Sequence, residues 1–221
     1  MIAKLSRRVA KWLAGQREIV RRRLALASGL TDYRRWSDSA SYRASWASRL
    51  EVSLRLRGDA LWIVDLGCGA QIMRTKLPRN AVYLPMDLIR WTDDTLLCDI
   101  NKQQLPADYL RLCDLCYVMG VIEYIYDPAW VLRALVDSSQ GIVISYNAVD
   151  LSDVNRKWNG WVNDLTVEDL MALVRDSGFE IQAVAQFEEQ IIVKASNANY
   201  SVTRRQEREL LRESFLRDQR P

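Results

Sequence analysis

The sequence contains no histidine, and its 221 residues include only four cysteines. Histidine is the commonest general base near neutral pH, so any proton transfer must use a carboxylate, a tyrosine, a lysine or water. Zinc sites are built mainly from histidine and cysteine, and no second cysteine pair accompanies Cys113 and Cys116. Oxygen-rich clusters with recognisable metal-binding spacing are also missing. We therefore expect no bound metal.

Long apolar runs are missing too. No stretch approaches the length of a membrane span, and the N-terminus lacks the continuous apolar segment of a secretory signal. The four cysteines fall in or beside strand-like runs, which is typical of buried, reduced thiols. These observations predict a cytoplasmic protein. A length of 221 residues fits one domain with appendages.

A strand-like run leads directly into a glycine-rich turn in the segment LWIVDLGCGA, residues 61–70. Asp65 lies near the end of the run, and Gly67, Cys68 and Gly69 follow it. Glycine lets the backbone approach a ligand that a Cβ would exclude, and it tolerates positive φ. The pattern predicts a nucleotide-binding turn.

Acidic residues end the next two strand-like runs, and a glycine follows the fourth. Asp87, followed by Leu88, ends the second run, where an acid can accept both hydroxyls of a ribose. Asp99, followed by Ile100, ends the third run, where an acid can accept from an adenine amine beneath an apolar neighbour. Gly120 follows the fourth run. These strand ends would offer their groups to a single ligand.

In this order the motifs resemble those of the class I S-adenosylmethionine-dependent methyltransferases. The resemblance covers roughly residues 61–195 and rests on VDLGCGA, PMD, LLCDI and VMGVIEYIYDP. It implies an α/β, Rossmann-like fold with a seven-stranded, mostly parallel sheet of order 3-2-1-4-5-7-6, flanked by helices, with the seventh strand antiparallel. It also implies S-adenosylmethionine as the cofactor. The residues expected to contact this cofactor are Asp65, Gly67, Cys68, Gly69, Asp87, Leu88, Asp99, Ile100 and Gly120.

Two positions depart from the pattern of that family. Tyr124 stands where the family usually has the histidine of a Glu-His pair, and Gln71 occupies the third glycine of the longer D-x-G-x-G-x-G form. A nicotinamide or flavin domain would instead need its third glycine at position 72, which is Ile72. The spacing therefore favours a methyl donor over a dinucleotide.

Three residues are candidates for catalysis. Glu123 follows the fourth strand and could be a general base, or it could only cap local backbone groups. Tyr146 and Asp150 follow the fifth strand, where each could bind or activate an acceptor hydroxyl or simply shape the turn. Motifs of the enzymes that methylate DNA amines or pyrimidine C5, and of the metal-dependent catechol enzymes, are missing. Oxygen, carboxyl or nitrogen acceptors on small molecules, sugars, lipids or proteins remain.

The positive charge is concentrated at the N-terminus, because residues 1–60 carry 14 Lys or Arg against 5 Asp or Glu. We expect a basic helical cap or lid over residues 1–58, a cofactor-binding domain over 59–198 and a charged helix over 199–221. The apolar spacing of residues 1–26 indicates an amphipathic helix. Its basic face is solvated or contacts an anionic membrane surface or another polyanion, or the segment is a transit-type leader. By analogy with the lids of the family, Trp36 or Tyr42 could cover the methionine part of the cofactor or the acceptor, or could simply pack the cap against the sheet edge.

The leading hypothesis is an S-adenosylmethionine-dependent methyltransferase that methylates oxygen on a small-molecule, saccharide or lipid-linked acceptor without a metal. Several motifs look like those of a bacterial subgroup whose relatives accompany surface-polysaccharide synthesis. One alternative is an RNA or protein methyltransferase that uses the basic helix, although that helix is not a face of the catalytic domain. The other is a non-catalytic donor-binding scaffold. The acceptor and the oligomeric state stay open.

Overall fold

The computed structural model describes residues 20, 24, 28, 31–33 and 46–218. The amphipathic helix expected over residues 1–26 lies almost wholly outside these residues, together with its membrane or nucleic-acid contact. Trp36 and Tyr42 also lie outside them. None of the helices in the described part of the chain is long and apolar enough to cross a membrane.

One seven-stranded sheet forms the centre of the protein. Its strands are β1 Trp62–Leu66, β2 Val82–Asp87, β3 Leu96–Leu97, β4 Leu115–Met119, β5 Gly141–Asn147, β6 Phe179–Phe187 and β7 Gln190–Asn197. Their order is β3-β2-β1-β4-β5-β7-β6. The pairs among β1 to β5 are parallel, and β7 is antiparallel to both β5 and β6. The predicted strand order and the antiparallel seventh strand are confirmed.

Helices cover both faces of the sheet. They are α1 Trp46–Arg55, α2 Ala107–Leu110, α3 Pro128–Ser138, α4 Val167–Asp176 and α5 Val202–Asp218, and 3-10 turns span Ile72–Lys76, Ile100–Lys102 and Ile122–Tyr124. A capping box begins α4: the Thr166 hydroxyl accepts from the N–H of Asp169, and the Asp169 carboxylate accepts from the N–H of Thr166.

Two core layers flank the central strands, which are buried on both faces as expected for parallel strands. Along β5, Ile142, Ile144 and Tyr146 belong to one layer and Val143 belongs to the other. Apolar residues of α2, α3 and α4 close the first layer, and Leu50 of α1 closes the second. Helix α1 therefore covers the opposite face of the sheet from α3 and α4.

Two buried arginines attach α5 to the sheet. The Nη2 of Arg212 donates to Asp114 Oδ1 at 2.8 Å, and the Nη1 of Arg208 lies 3.1 Å from the same oxygen. The other oxygen of Asp114 accepts from the N–H groups of Leu61 and Trp62, each at 2.9 Å, where β1 begins. One carboxylate thus joins the first strand to the last helix.

Only part of the apolar side of this helix packs against the sheet. Phe215 packs edge-on against Trp62 with ring centroids 5.7 Å apart. Leu210, however, is 66% exposed, and Leu211 and Leu216 are exposed as well. The buried face of α5 therefore combines Phe215 with the two arginines.

Asp114→Asn should lower the free energy of unfolding by about 2–3 kcal/mol, because two buried guanidinium groups lose their carboxylate. Burial by itself raises the pKa of Asp114, but the N–H of Trp62 and the guanidinium of Arg212 outweigh it and hold the pKa below 3.8. The stabilisation is therefore complete above about pH 4 and is lost as the pH falls through the lowered pKa. Urea unfolding should show a large difference in the free energy of unfolding between variant and wild type at neutral pH, and a smaller difference in acid.

Asp108→Asn is the matched control. Asp108 pairs with Arg111 at 3.6 Å, but its side chain is 91% exposed. Exposed pairs contribute little to stability, so this variant should unfold like the wild type. If Asp114→Asn were equally stable, apolar contacts alone would hold α5.

Candidate functional site

A cleft of about 210 Å³ opens at the carboxyl ends of β1, β2, β3 and β4. All nine residues predicted to contact the cofactor line this cleft, as does Glu123. Parallel strands place their carboxyl ends at the same edge of a sheet, which explains why separate motifs meet there.

The glycine turn forms the centre of the cleft. Gly67 has a φ of +81°, and a Cβ built on it would lie 2.3 Å from Val121 Cγ2. The N–H of Gly69 donates to Asp87 Oδ2 at 2.8 Å, and the N–H of Ile89 donates to Asp87 Oδ1 at 3.1 Å. Burial raises the pKa of Asp87, and these N–H donors partly offset the rise. The acid of β2 therefore holds the turn as well as facing the cleft.

Asp65 is the second buried acid of the cleft, at 5% exposure. The hydroxyl of Tyr83 donates to its Oδ2 at 2.6 Å. Burial raises the pKa of Asp65 to about 7, although the bond from Tyr83 opposes the shift. Asp65 is thus a carboxyl group whose charge changes near neutral pH.

Asp99 is covered by the segment that precedes α1. The hydroxyl of Thr31 donates to Asp99 Oδ1 at 2.9 Å, and that of Tyr33 donates to Oδ2 at 2.5 Å. Lys102 Nζ lies 3.4 Å from Oδ2. The group predicted to accept from adenine is therefore engaged by the hydroxyls of the chain itself. The only sign of this contact in the sequence is a general one, the expectation of a lid before the first strand.

Gln71, at the position of the third glycine of the family pattern, adopts the left-handed conformation that glycine tolerates best, with a φ of 56°. Its Nε2 donates to the hydroxyls of Thr92 at 2.7 Å and Thr95 at 3.0 Å, and its Oε1 accepts from Arg74 Nε at 3.0 Å. The side chain thus attaches the glycine turn to the loop between β2 and β3. These bonds offset the cost of a side chain in a left-handed backbone.

Gln71→Gly and Gln71→Ala separate these two effects. Both remove the three side-chain bonds, so both should be less stable than the wild type in urea unfolding. Only glycine relieves the backbone strain, so the glycine variant should be the more stable of the two by about 1 kcal/mol. Equal stabilities of the two variants would show that the left-handed backbone costs nothing here.

Glu123 lies at the end of the cleft beyond β4 and is 2% exposed. Its Oε1 accepts from the N–H of Asn147 at 2.9 Å, while its Oε2 has no hydrogen-bond partner among the described residues. Burial raises the pKa of Glu123, and the N–H of Asn147 and the charge of Arg49 lower it in part. The site therefore contains a buried carboxylate with one oxygen available to a ligand.

The structure does not bring Tyr146 and Asp150 to the cleft, and both side chains make bonds within the chain instead. Tyr146 belongs to the core layer of α3 and α4, and its hydroxyl donates to Asn163 Oδ1 at 2.6 Å and accepts from Arg156 Nη2 at 2.7 Å. The Asp150 carboxylate accepts from the N–H of Val167 at 3.0 Å, at the start of α4. Both residues anchor the long loop after β5.

Sequence reasoning missed several residues in the cleft wall, among them Arg49, Trp161 and Gln190. Arg49 belongs to α1, and its Nη1 donates to Gln190 Oε1 at 2.9 Å. The guanidinium of Arg156 lies over the ring of Trp161, 4.6 Å from its centroid. These residues reach the cleft through tertiary packing, which no sequence motif signals.

No protein-family model and no curated protein matches the chain, but solved structures share its fold. A methyltransferase from Mesorhizobium loti, described as S-adenosylmethionine-dependent, matches with a TM-score of 0.53 and 20% identity over 70% of this chain and 98% of that chain. Human N-acetylserotonin methyltransferase, in complex with SAM, matches with a TM-score of 0.57 and 15% identity over 76% of this chain and 57% of that chain. The [4+2]-cyclase SpnF matches with a TM-score of 0.56 and 11% identity over 68% of this chain and 80% of that chain.

The chain therefore has the fold of the class I S-adenosylmethionine-dependent methyltransferases. At these identities the likeness shows the fold alone, and the match to a cyclase illustrates that one fold hosts several activities. The chain spans little more than half of the human enzyme, 57% of its length. Activity must therefore be argued from the cleft itself.

Proposed function

We propose that the protein is an S-adenosylmethionine-dependent methyltransferase that methylates an oxygen of a small-molecule, saccharide or lipid-linked acceptor, by direct transfer without a metal. The observation that carries the proposal is the convergence of all nine motif residues on one cleft. Neighbours of the same fold include enzymes named as methyltransferases that use this donor.

The residues of the cleft fit the cofactor. Along the sheet edge the order β3, β2, β1, β4 places Asp99, Asp87, Gly67 and Gly120 in sequence. Neighbouring strands lie about 4.8 Å apart, so this row spans roughly 14 Å, enough for an extended nucleoside that carries an amino acid. Asp87 suits a ribose diol, and Ile100 can cover an adenine ring beside Asp99. S-adenosylmethionine would supply a methyl group activated by a sulfonium.

Glu123 supports an oxygen acceptor. An acceptor hydroxyl must lose a proton when its oxygen gains a methyl group, and the protein has no histidine to receive it. The Oε2 of Glu123 has no partner among the described residues and borders the cleft, so it can accept that proton. Its raised pKa makes it a stronger base than an exposed glutamate.

Calorimetry with S-adenosylhomocysteine, the product of the donor, tests the cofactor proposal. We expect micromolar binding to the wild type, weakened in Asp87→Ala by about tenfold or more, roughly 1.4 kcal/mol. Asp93→Ala is the control, because Asp93 is exposed and does not line the cleft. No binding to folded wild-type protein would refute the proposed activity and leave the scaffold alternative.

Glu123→Gln tests the base. The amide keeps the shape of the side chain and can still accept from Asn147, but it cannot accept the proton. Release of S-adenosylhomocysteine with hydroxyl-bearing acceptors should therefore fall by about 10²-fold or more. The wild-type rate should rise with pH through the raised pKa of Glu123 and level off above it, because only the carboxylate acts as a base.

Affinity for S-adenosylhomocysteine should be the same in Glu123→Gln and wild type, which separates the loss of a base from a damaged donor site. Glu180→Gln, an exposed position on β6, serves as the control. An unchanged rate in Glu123→Gln would exclude a base role for Glu123. Methylation of RNA or protein in place of the small acceptors would favour the corresponding alternative.

A further inference from the structure

The turn that carries Glu123 has few bonds of its own. It is the three-residue 3-10 turn Ile122–Tyr124, which follows β4. At its end the N–H of Ile125 donates back to the carbonyl of Ile122 at 3.0 Å. Hydrogen bonds of 3-10 turns have poor geometry, so a turn this short depends on contacts from other elements to fix its orientation.

The long loop after β5 supplies those contacts through Asn163 and its neighbour. The Nδ2 of Asn163 donates to the carbonyl of Ile122 at 2.6 Å and to that of Ile125 at 3.0 Å. The N–H of Val162 donates to the carbonyl of Glu123 at 2.8 Å. The loop thus engages three main-chain carbonyls of the turn, including that of Glu123 itself.

Tyr146 fixes the orientation of the Asn163 amide. The hydroxyl of Tyr146 accepts from Arg156 Nη2 at 2.7 Å and from the N–H of Leu165 at 2.9 Å. Its single hydrogen is therefore left for Asn163 Oδ1, at 2.6 Å. With Oδ1 held there, both hydrogens of the amide point to the turn. Each polar atom of the Asn163 side chain is thus used.

The same network reaches the side chain of Glu123. Arg156 Nη1 donates to the carbonyl of Asn147 at 2.6 Å, and the N–H of Asn147 donates to Glu123 Oε1 at 2.9 Å. Tyr146 and Asn147 are consecutive residues at the end of β5. The main chain and the side chain of Glu123 are therefore both tied to the end of one strand.

We propose that Asn163 is a positioning residue, which fixes the turn of Glu123 against the end of β5 and thereby holds the Glu123 carboxylate in place at the cleft. The inference rests on the proposed function, in which Glu123 is the base. Asn163 does not line the cleft itself, so it acts through Glu123 and not on a ligand. A base must lie within hydrogen-bond reach of the proton it accepts, and a displacement of about 1 Å can lower a rate by about 10²-fold.

The first test needs no acceptor. It follows the titration of Glu123 by NMR in protein labelled with ¹³C at the glutamate carboxyl groups, with the resonance assigned by its absence in Glu123→Gln. Burial raises the pKa of Glu123 in the wild type. In Asn163→Ala the released turn should let water reach the carboxylate, so the pKa should fall towards 4.5, the ordinary value.

Tyr146→Phe should shift the titration of Glu123 in the same direction by a smaller amount, because the Asn163 amide remains but loses the bond that orients it. The cations of Arg49 and Arg156 also lower the pKa of Glu123, and both are kept in these variants. Asn155→Ala is the matched control. Asn155 is an exposed residue of the same loop whose Oδ1 accepts from the N–H of Trp158, and this variant should titrate like the wild type.

The second test is a double-mutant cycle in kcat, with a hydroxyl-bearing acceptor that the wild type methylates. Asn163→Ala should lower kcat by about tenfold or more in the wild type but by less than about twofold in Glu123→Gln, since no base is then left to position. Affinity for S-adenosylhomocysteine should be the same in Asn163→Ala and wild type, because Asn163 lies outside the cleft.

The outcomes separate the two proposals. An unchanged titration of Glu123 in folded Asn163→Ala would overturn the positioning role, as would an equal loss of kcat in both backgrounds. A wild-type rate in Glu123→Gln would instead refute the base, whereas a shifted titration in Asn163→Ala would still support the positioning of Glu123 by Asn163. Thermal unfolding checks that each variant is folded, and Tyr146→Phe decides by the same two measurements if Asn163→Ala does not fold.

Discussion

The path of the chain through Gly67 is the constraint on which the cleft depends. The N–H groups of Gly67 and Cys68 both donate to the carbonyl of Met86, at 2.8 and 3.1 Å, so the turn after β1 is held against β2. On its other side Val121 leaves no room for a Cβ on Gly67. The turn therefore fits between β2 and β4 only as glycine. Because it does, the acids after β2 and β3 and the groups after β4 border one space.

Buried charge is the second feature of this edge, and it has a cost. Asp65, Asp87, Glu123 and Arg49 are each less than 10% exposed, and burying a charge without compensation is unfavourable. Main-chain N–H groups and the Tyr83 hydroxyl donate to the buried carboxylates and so offset part of this cost. The apolar layers on both faces of the sheet and the link from Asp114 to α5 hold the strands that carry these groups. Stability is thus concentrated away from the edge where a ligand would bind.

The parts predictable from the sequence were those with a local signature. Strand-like runs followed by glycine or by acid gave the strand order, through the family resemblance, and nine of the residues in the cleft. Tyr146 and Asp150 were assigned by position after a strand, without regard to the face on which each side chain lies. In β5 the residues alternate, so Tyr146 joins Ile142 and Ile144 in the core and cannot face α1.

Arg49 illustrates what sequence reasoning could not reach. It precedes the glycine turn by 18 residues, and no motif includes it. Its place depends on how α1 docks on the sheet and on the missing side chain of Gly120, and both are tertiary facts. Gln71 is the converse case. Its departure from the glycine of the family pattern was visible in the sequence, but its compensating bonds to Thr92 and Thr95 were not.

The proposed base, Glu123, is coupled by charge to Arg49. Burial raises the pKa of Glu123, whereas the cation of Arg49 lowers it. Removing Arg49 would therefore raise the pKa of Glu123 further and leave less of the base ionised at a given pH. A loss of activity in an Arg49 variant would then combine a changed cleft wall with a protonated base. Binding of S-adenosylhomocysteine is free of this ambiguity, because no proton leaves an acceptor in that equilibrium.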